Sequence, residues 1–335
     1  MTIPAFIREQ PHVLDACLAA ARGFTASTHE RGGIDGIALV GSGSSFNAMT
    51  VARPRFVAAR RGPVTLHEPE DFIAELADAT TRPLVVVLSQ SGASTTSIAA
   101  ARAALAAGLR TVAITASPQA ALGSVGAELL VLPVGEEPVG PKTKGFLGSM
   151  AMLLALAEQL GAPPASSASP AISSADFGSL IEPARDVAEA LVPSLRQVDQ
   201  IVIAGRRANY GVALEASLKI TEMAGIPTSG LPTEELLHGR LHGLTDRSVA
   251  FILAEGAAEL AEAQRVEQVM GARGCRVIVV VVEATGLPAP WTVLGLIVPF
   301  QWLAVRLAED RGLVPQTMRH GALSAELAIK TDARP

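Results

Sequence analysis

Apolar residues arrive in short runs, each closed by a polar loop and followed by apolar positions at helical spacing. The runs are Gly36–Val40, Val64–Glu68, Leu84–Leu88, Thr111–Thr115 and Leu129–Leu132, then Gln200–Ala204, Ser248–Leu253 and Arg276–Val282. Short apolar segments with β-branched centres predict strands buried on both faces. Val13, Leu14, Cys17, Leu18 and Ala21 predict an amphipathic opening helix from about Pro11 to Thr28. Ile98, Ala101 and Leu105 predict another behind the Leu84 strand, and 211–225 and 257–271 predict two more. Strands alternating with helices give a parallel, doubly wound sheet.

The pattern occurs twice. Ala162–Ser174 reads APPASSASPAISS, the composition of a linker. A boundary there gives two α/β domains, 1–165 and 166–335, and the second repeats the strand–loop–helix plan of the first, as internal duplication does.

Composition narrows the class. Hydrophobic residues make up 49% of the 335 residues and aromatics 4%, so the cores are built from Ala, Val, Leu and Ile. The apolar runs Met150–Ala157 and Val277–Val282 stop at Glu158 and Glu283, short of a membrane span. The start, MTIPAFIREQ, has no basic segment ahead of an apolar block, so a cytoplasmic protein is expected, with no membrane partner. Cys17 and Cys275 lack ligand-like spacing, which predicts core thiols and neither a disulfide nor a metal site. A net charge of −5 without a basic cluster gives nucleic acid no purchase. A small ligand is expected, with no cofactor.

Two loops carry the candidate binding chemistry. Gly41-Ser42-Gly43-Ser44-Ser45 and Ser89-Gln90-Ser91-Gly92-Ala93-Ser94 each join a strand's C-terminal end to a helix N-terminus. Unpaired N–H groups, the helix dipole and hydroxyl donors at such a junction suit a phosphate; an ordinary serine-capped turn has the same sequence. The glycines match a dinucleotide fingerprint only in part, since Phe46 stands at its third glycine position. Loops from adjacent strands at a topological switch point converge on one ligand. The Gly- and Pro-rich stretch Glu137–Gly145 carries Lys142 and Lys144, either a lid over an anion or solvated lysines ahead of a helix. In the second half Leu253-Ala254-Glu255-Gly256 stands where the first has SQSGAS, and a carboxylate there repels an anion. Glu215, Lys219 and Glu222 fall at i, i+4 and i+7 of one helix face: a solvated salt-bridged stripe, or buried carboxylates beside a lysine with useful acid–base behaviour. His238 precedes a glycine at the end of the short helical segment TEELLHGR.

Together the blocks GSGSSFNA, SQSGAS, TKGF, ALEASLKITE and EELLHG, in this order, resemble the sugar isomerase (SIS) family. The likeness is to the double-SIS isomerase half of glucosamine-6-phosphate synthase and its free-standing relatives, and runs from about Gly36 onward. It implies two tandem flavodoxin-like SIS domains. Ser44, Ser45, Ser89, Gln90, Ser91 and Ser94 become the implied phosphate ligands. Glu222 becomes the proton-transferring base, with Glu215 and Lys219 as its neighbours, and His238 the ring-opening histidine, which in the family comes from the adjacent subunit. A homodimer is thereby implied. Lys330 stands near the place of the family's Schiff-base lysine, in a poorly matched block. Ser94 replaces the family's usual threonine, and Arg240 a common proline after H-G. The synthase's glutaminase domain has no counterpart in a chain that opens Met1-Thr2, so ammonia from glutamine is not expected. The activity implied is that of a phosphosugar enzyme, with glucosamine-6-phosphate deaminase first, an aldose–ketose isomerase or a deglycase of sugar-phosphate adducts next, and a non-catalytic phosphosugar sensor as the reading from another class.

Overall fold

In a computed structural model the described residues are 2–24, 34–78, 80–163 and 172–331. The elements run α1 (Ile3–Gly23), β1 (Ile37–Val40), α2 (Ser44–Ala58), β2 (Val64–His67), α3 (Pro69–Leu76), β3 (Leu84–Leu88), α4 (Thr95–Ala106), β4 (Thr111–Thr115), β5 (Glu128–Val131) and α5 (Lys144–Gln159). They continue α6 (Ser174–Gly178), α7 (Ile181–Leu195), β6 (Gln200–Gly205), α8 (Ala208–Ala224), β7 (Thr228–Pro232), α9 (Thr233–Leu237), β8 (Ser248–Ala254), α10 (Gly256–Gly271), β9 (Arg276–Val281), α11 (Thr292–Asp310) and α12 (Leu323–Glu326).

The first sheet has the order β2-β1-β3-β4-β5, every pair parallel. This is the flavodoxin-like order, and its switch point lies between β1 and β3. Val85, Val87, Ala113 and Val40 meet Ile98, Ala101 and Ala104 of α4 in one core. The second sheet, β7-β6-β8-β9, repeats that order without a fifth strand. Its core joins Ala204, Ala250, Ile252 and Val277 to Ala263 and Met270 of α10.

Packing divides the chain into two compact units: His12–Glu137, Lys144–Ala168 and His320–Pro335 around the first sheet, and Met1–Pro11, Pro138–Thr143 and Ser169–Arg319 around the second. The expected division into 1–165 and 166–335 is therefore crossed at both ends. Long-range hydrogen bonds are the reason. Gln10 donates to Gln301 at 2.6 Å, and Thr331 N–H donates to the Ala93 carbonyl at 2.8 Å. Most of the expected linker, 164–171, lies outside the described residues.

Four further expectations change. Helix α1 starts at Ile3, because Ile3, Phe6, Ile7 and Gln10 extend its buried stripe and Pro4 sits in the first turn, where no N–H partner is needed. Strand β7, with glycine and proline inside it, had no apolar signature. Helix α8 begins at Ala208 rather than Gly211. Helix α11 is the one helix among the described residues that passes a length-and-composition test for a membrane span. It is a core helix, with 83% of its apolar stretch buried, packing along α8 and α7. Both cysteines are buried and free, and burial pushes the Cys17 thiol up to about 12.

Candidate active site

The unit of the first sheet carries the serine loops. Gly41 closes β1, and a Cβ there would stand 3.1 Å from Ser45 Cβ and 3.4 Å from the Leu88 carbonyl oxygen. Glycine relieves this crowding between the end of β1, the first turn of α2 and the end of β3. Gly43 follows at φ 55°, ψ −132°, and no side chain caps α2, so the helix dipole and first-turn N–H groups face the loop.

The second loop is held by its own backbone. Ser89 N–H donates to Ile114 O at 3.0 Å, Gly92 N–H to Ser89 O at 3.0 Å, and Ala116 N–H to Gln90 O at 2.9 Å. The Ser89 side chain is buried and that of Ser91 exposed. The Ser91 hydroxyl accepts from Ala93 N–H at 3.3 Å, and Ser94 caps α4 by accepting from Ser97 N–H at 3.4 Å. Two hydroxyls expected to meet a phosphate thus also shape the loop. Lys330 arrives here too. Its backbone forms an antiparallel bridge to Ser94, flanked by Thr95 N–H to Ile329 O at 3.3 Å.

Two residues to which the sequence assigned no role of their own complete this part. The Gln90 amide lies against the Cα of Gly145, where any Cβ would overlap it, so the glycine of TKGF serves Gln90. Glu137 caps α5, accepting from Lys144 N–H at 3.2 Å and Gly145 N–H at 3.0 Å. Lys144 is buried and Lys142 half-buried. The burial of Lys144 does not fit the alternative of solvated lysines ahead of a helix. The available signal was the glycine itself, since a helix's second residue needs no glycine unless something crowds it.

The unit of the second sheet holds the charged helix. Glycine again lets elements approach: a Cβ on Gly230 of β7 would lie 2.6 Å from Leu214 Cα. Helix α8 is consequently enclosed, and the charged face is no solvated stripe. Glu215 is 0% and Lys219 1% exposed, and Glu222 retains 21%. Lys219 Nζ stands 3.3 Å from Glu215 Oε1 and donates to Glu222 Oε2. Burial alone pushes the ammonium's pKa down, but the two carboxylates outweigh it, so the Lys219 pKa is raised. A carboxylate that reaches solvent is thereby tied to a cation that stays charged.

The loop after β6 copies the first one. Gly205 takes the role of Gly41, and Arg207, at φ 50°, ψ −123°, that of Gly43. The anion position of the next loop, between β8 and α10, is filled from within. Gly256 N–H donates to Glu283 Oε1 at 2.6 Å and Glu255 N–H to Glu259 Oε2 at 3.0 Å, while Arg207 pairs with Glu259 at 2.7 Å. His238 follows α9, 79% exposed, with its Nε2 3.4 Å from Glu234 Oε2. Its contacts run to that helix and not to the α8 charges.

The profile of the SIS domain matches residues 35–159 and 194–286, one block on each sheet. The chain belongs to the SIS domain family. Among curated SIS relatives, the glutamine–fructose-6-phosphate aminotransferase (isomerizing) of Halobacterium salinarum is 30% identical over 254 residues, covering 72% of this chain and 41% of that one. The same enzyme of Tropheryma whipplei is 27% identical over 316 residues, covering 83% and 50%. The chain spans about half the length of these relatives or less. Among solved SIS structures, glucosamine-6-phosphate deaminase from Thermotoga maritima aligns over 94% of this chain and 97% of its own, with a TM-score of 0.76 and 20% identity. That likeness is one of fold.

Proposed function

We propose that the chain is an SIS phosphosugar isomerase that acts on a 6-phosphorylated sugar, and that with a 2-amino sugar it is a glucosamine-6-phosphate deaminase. The observation that carries this reading is the Glu215–Lys219–Glu222 cluster, a carboxylate at the edge of a buried helix face held by a buried ammonium.

The serine loops bind the phosphate through Ser44, Ser45, Ser89, Gln90, Ser91 and Ser94, a reading supported by the position of both loops at helix N-termini after β1 and β3, the strands that flank the switch point. His238 opens the ring: the anomeric hydroxyl loses its proton as the C1–O5 bond breaks, and O5 gains one. Glu222 then removes the C2 proton and returns it to C1, which turns the 2-amino aldose into a 2-imino ketose. Water adds at C2, and fructose 6-phosphate and ammonia leave. One positioned carboxylate moving a proton suits the roughly 10²–10⁴-fold credited to general acid–base catalysis. Lys219 holds Glu222 in place, and Lys330 reaches the open-chain carbonyl, a role supported by its backbone bridge to Ser94 of the phosphate loop.

Incubation of the protein with glucosamine 6-phosphate should yield fructose 6-phosphate and ammonia together. Neither product from the amino sugar, alongside turnover of a phosphorylated aldose or an amino-acid adduct, would reassign the chain to an isomerase or a deglycase. We also propose a homodimer in which the exposed His238 serves the neighbouring subunit's sugar. His238→Ala and Glu222→Gln chains, each inactive alone, should regain activity when mixed, because half of the heterodimer's sites recover both residues. Chains that exchange subunits without recovery would place His238 in its own subunit's site.

A further inference from the structure

A line of charged side chains runs from the β6–α8 loop to His238. Arg206 donates Nη1 to Glu262 Oε2 and Nη2 to Glu234 Oε1, both at 2.6 Å. The other Glu234 oxygen, Oε2, lies 3.4 Å from His238 Nε2. The Arg206 hydrogen bond holds the Glu234 carboxyl below the usual carboxylate range, so it stays ionised.

The arrangement is more than a surface pair. An i, i+4 contact on a helix as short as α9, between two exposed side chains, fixes little by itself. Here Glu234 is pinned from a different element. Arg206 comes from the loop after β6 and is itself anchored by Glu262 of α10, with its side chain 22% exposed. Each Glu234 oxygen therefore has one task, one toward the arginine and one toward the histidine. This is the logic by which a fixed carboxylate orients an imidazole and stabilises the imidazolium that forms as it takes a proton.

We propose that Arg206 and Glu234 are positioning residues for His238. Glu234 Oε2 accepts from the His238 Nε2–H, which leaves Nδ1 to handle the sugar's proton. During ring opening Nδ1 takes the anomeric hydroxyl proton as the C1–O5 bond breaks and then gives it to O5, so the imidazole ends as it began. The inference rests on the ring-opening role given above to His238.

The test separates ring opening from the proton transfer that follows it. Two substrates are compared: glucosamine 6-phosphate, and an acyclic analogue that lacks the C5 hydroxyl and is O-methylated at C4, so that it cannot close. Turnover is read on the first and washout of C2 deuterium on the second, with thermal melts checking the fold of each variant. Glu234→Ala should lower turnover of the cyclic sugar by about tenfold or more, part of the range open to acid–base catalysis, and leave washout from the acyclic analogue within about twofold. Glu234→Gln, which keeps an acceptor oxygen, should fall between. Arg206→Met should follow the same pattern, and Glu234→Ala should cost nothing further in a His238→Ala background. Unchanged cyclic turnover in Glu234→Ala, equal losses on both substrates, or additive losses with His238→Ala would overturn the inference. If wild type turns over the cyclic sugar and only His238→Ala impairs it, the positioning role alone fails. If wild type acts on neither substrate, the phosphosugar reading fails and this one with it.

Discussion

Gly43 and Arg207 share one backbone conformation, φ 55°, ψ −132° and φ 50°, ψ −123°, each just ahead of the helix that follows the first strand of its sheet. Glycine tolerates this region, whereas a side chain there costs about 1–3 kcal/mol. Arg207→Gly should therefore stabilise the protein. After subtracting the extra freedom glycine gives the unfolded chain, about 0.4–1 kcal/mol, a net gain near 1 kcal/mol raises Tm by about 2–4 °C. Gly43→Ala should lower Tm by a similar amount. Calorimetry on both variants checks the pair, and an Arg207→Gly protein that melts lower than wild type would mean that the Glu255 and Glu259 contacts outweigh the strain.

Lys219→Met should be far costlier, at about 3–5 kcal/mol, because it removes the buried ammonium that faces the buried Glu215 carboxylate. Glu215→Gln added to it should restore part of the loss. The pH dependence follows from the raised Lys219 pKa. The folded value lies above the ordinary 10.5, so its contribution is whole at neutral pH and is lost as pH rises through the folded value. Urea midpoints taken between neutral and strongly alkaline pH should fall for wild type, and this component of the fall should vanish in Lys219→Met.

If Ser89 and Ser91 bind phosphate as proposed, Ser89→Ala and Ser91→Ala each remove a hydroxyl donor to an ionised acceptor, worth about 1.5–3 kcal/mol, so each should raise Kd for a 6-phosphosugar by about ten- to a hundredfold. Binding of the unphosphorylated sugar should not change. Ser91→Ala has a second effect, since its hydroxyl also accepts from Ala93 N–H, so it should lose more thermal stability than an exposed serine ordinarily does. Calorimetric titration with both sugars reads the first claim, and equal losses on both would remove the loop from phosphate binding.

Gly145→Ala should act through Gln90. The added methyl must displace the amide, which is the end of a flexible side chain, so stability should change little. Phosphosugar affinity should fall as far as in Gln90→Ala, and the double variant should be no worse than either single one. Additive losses would show that Gly145 contributes by another route.

Much of this arrangement is written locally. Leu84–Leu88 ahead of a polar loop, and Ile98 and Ala101 on one helix face, read correctly because strand and helix periods depend on residues within a turn or two, although Leu105 of the same reading is only half-buried. Strand β7 escaped because Gly230 sits in it for the sake of Leu214, a residue of another element. Lys144 could be read as a solvated lysine ahead of a helix because nothing nearby in sequence announced that Glu137 would cap α5 there and that the side chain would be buried.

The sequence by itself determined the doubly wound plan, the two serine loops at strand ends and the repetition of that plan, since each follows from local periodicity and from what glycine and serine do at a helix start. Only the tertiary structure decided that Glu215 and Lys219 are buried rather than a solvated stripe, that the second anion position is filled by Glu283 and Glu259, and that Lys330 returns to Ser94. Local periods are summed over near neighbours, whereas burial and charge pairing depend on which distant segments close over a face, and no window along the chain contains both partners.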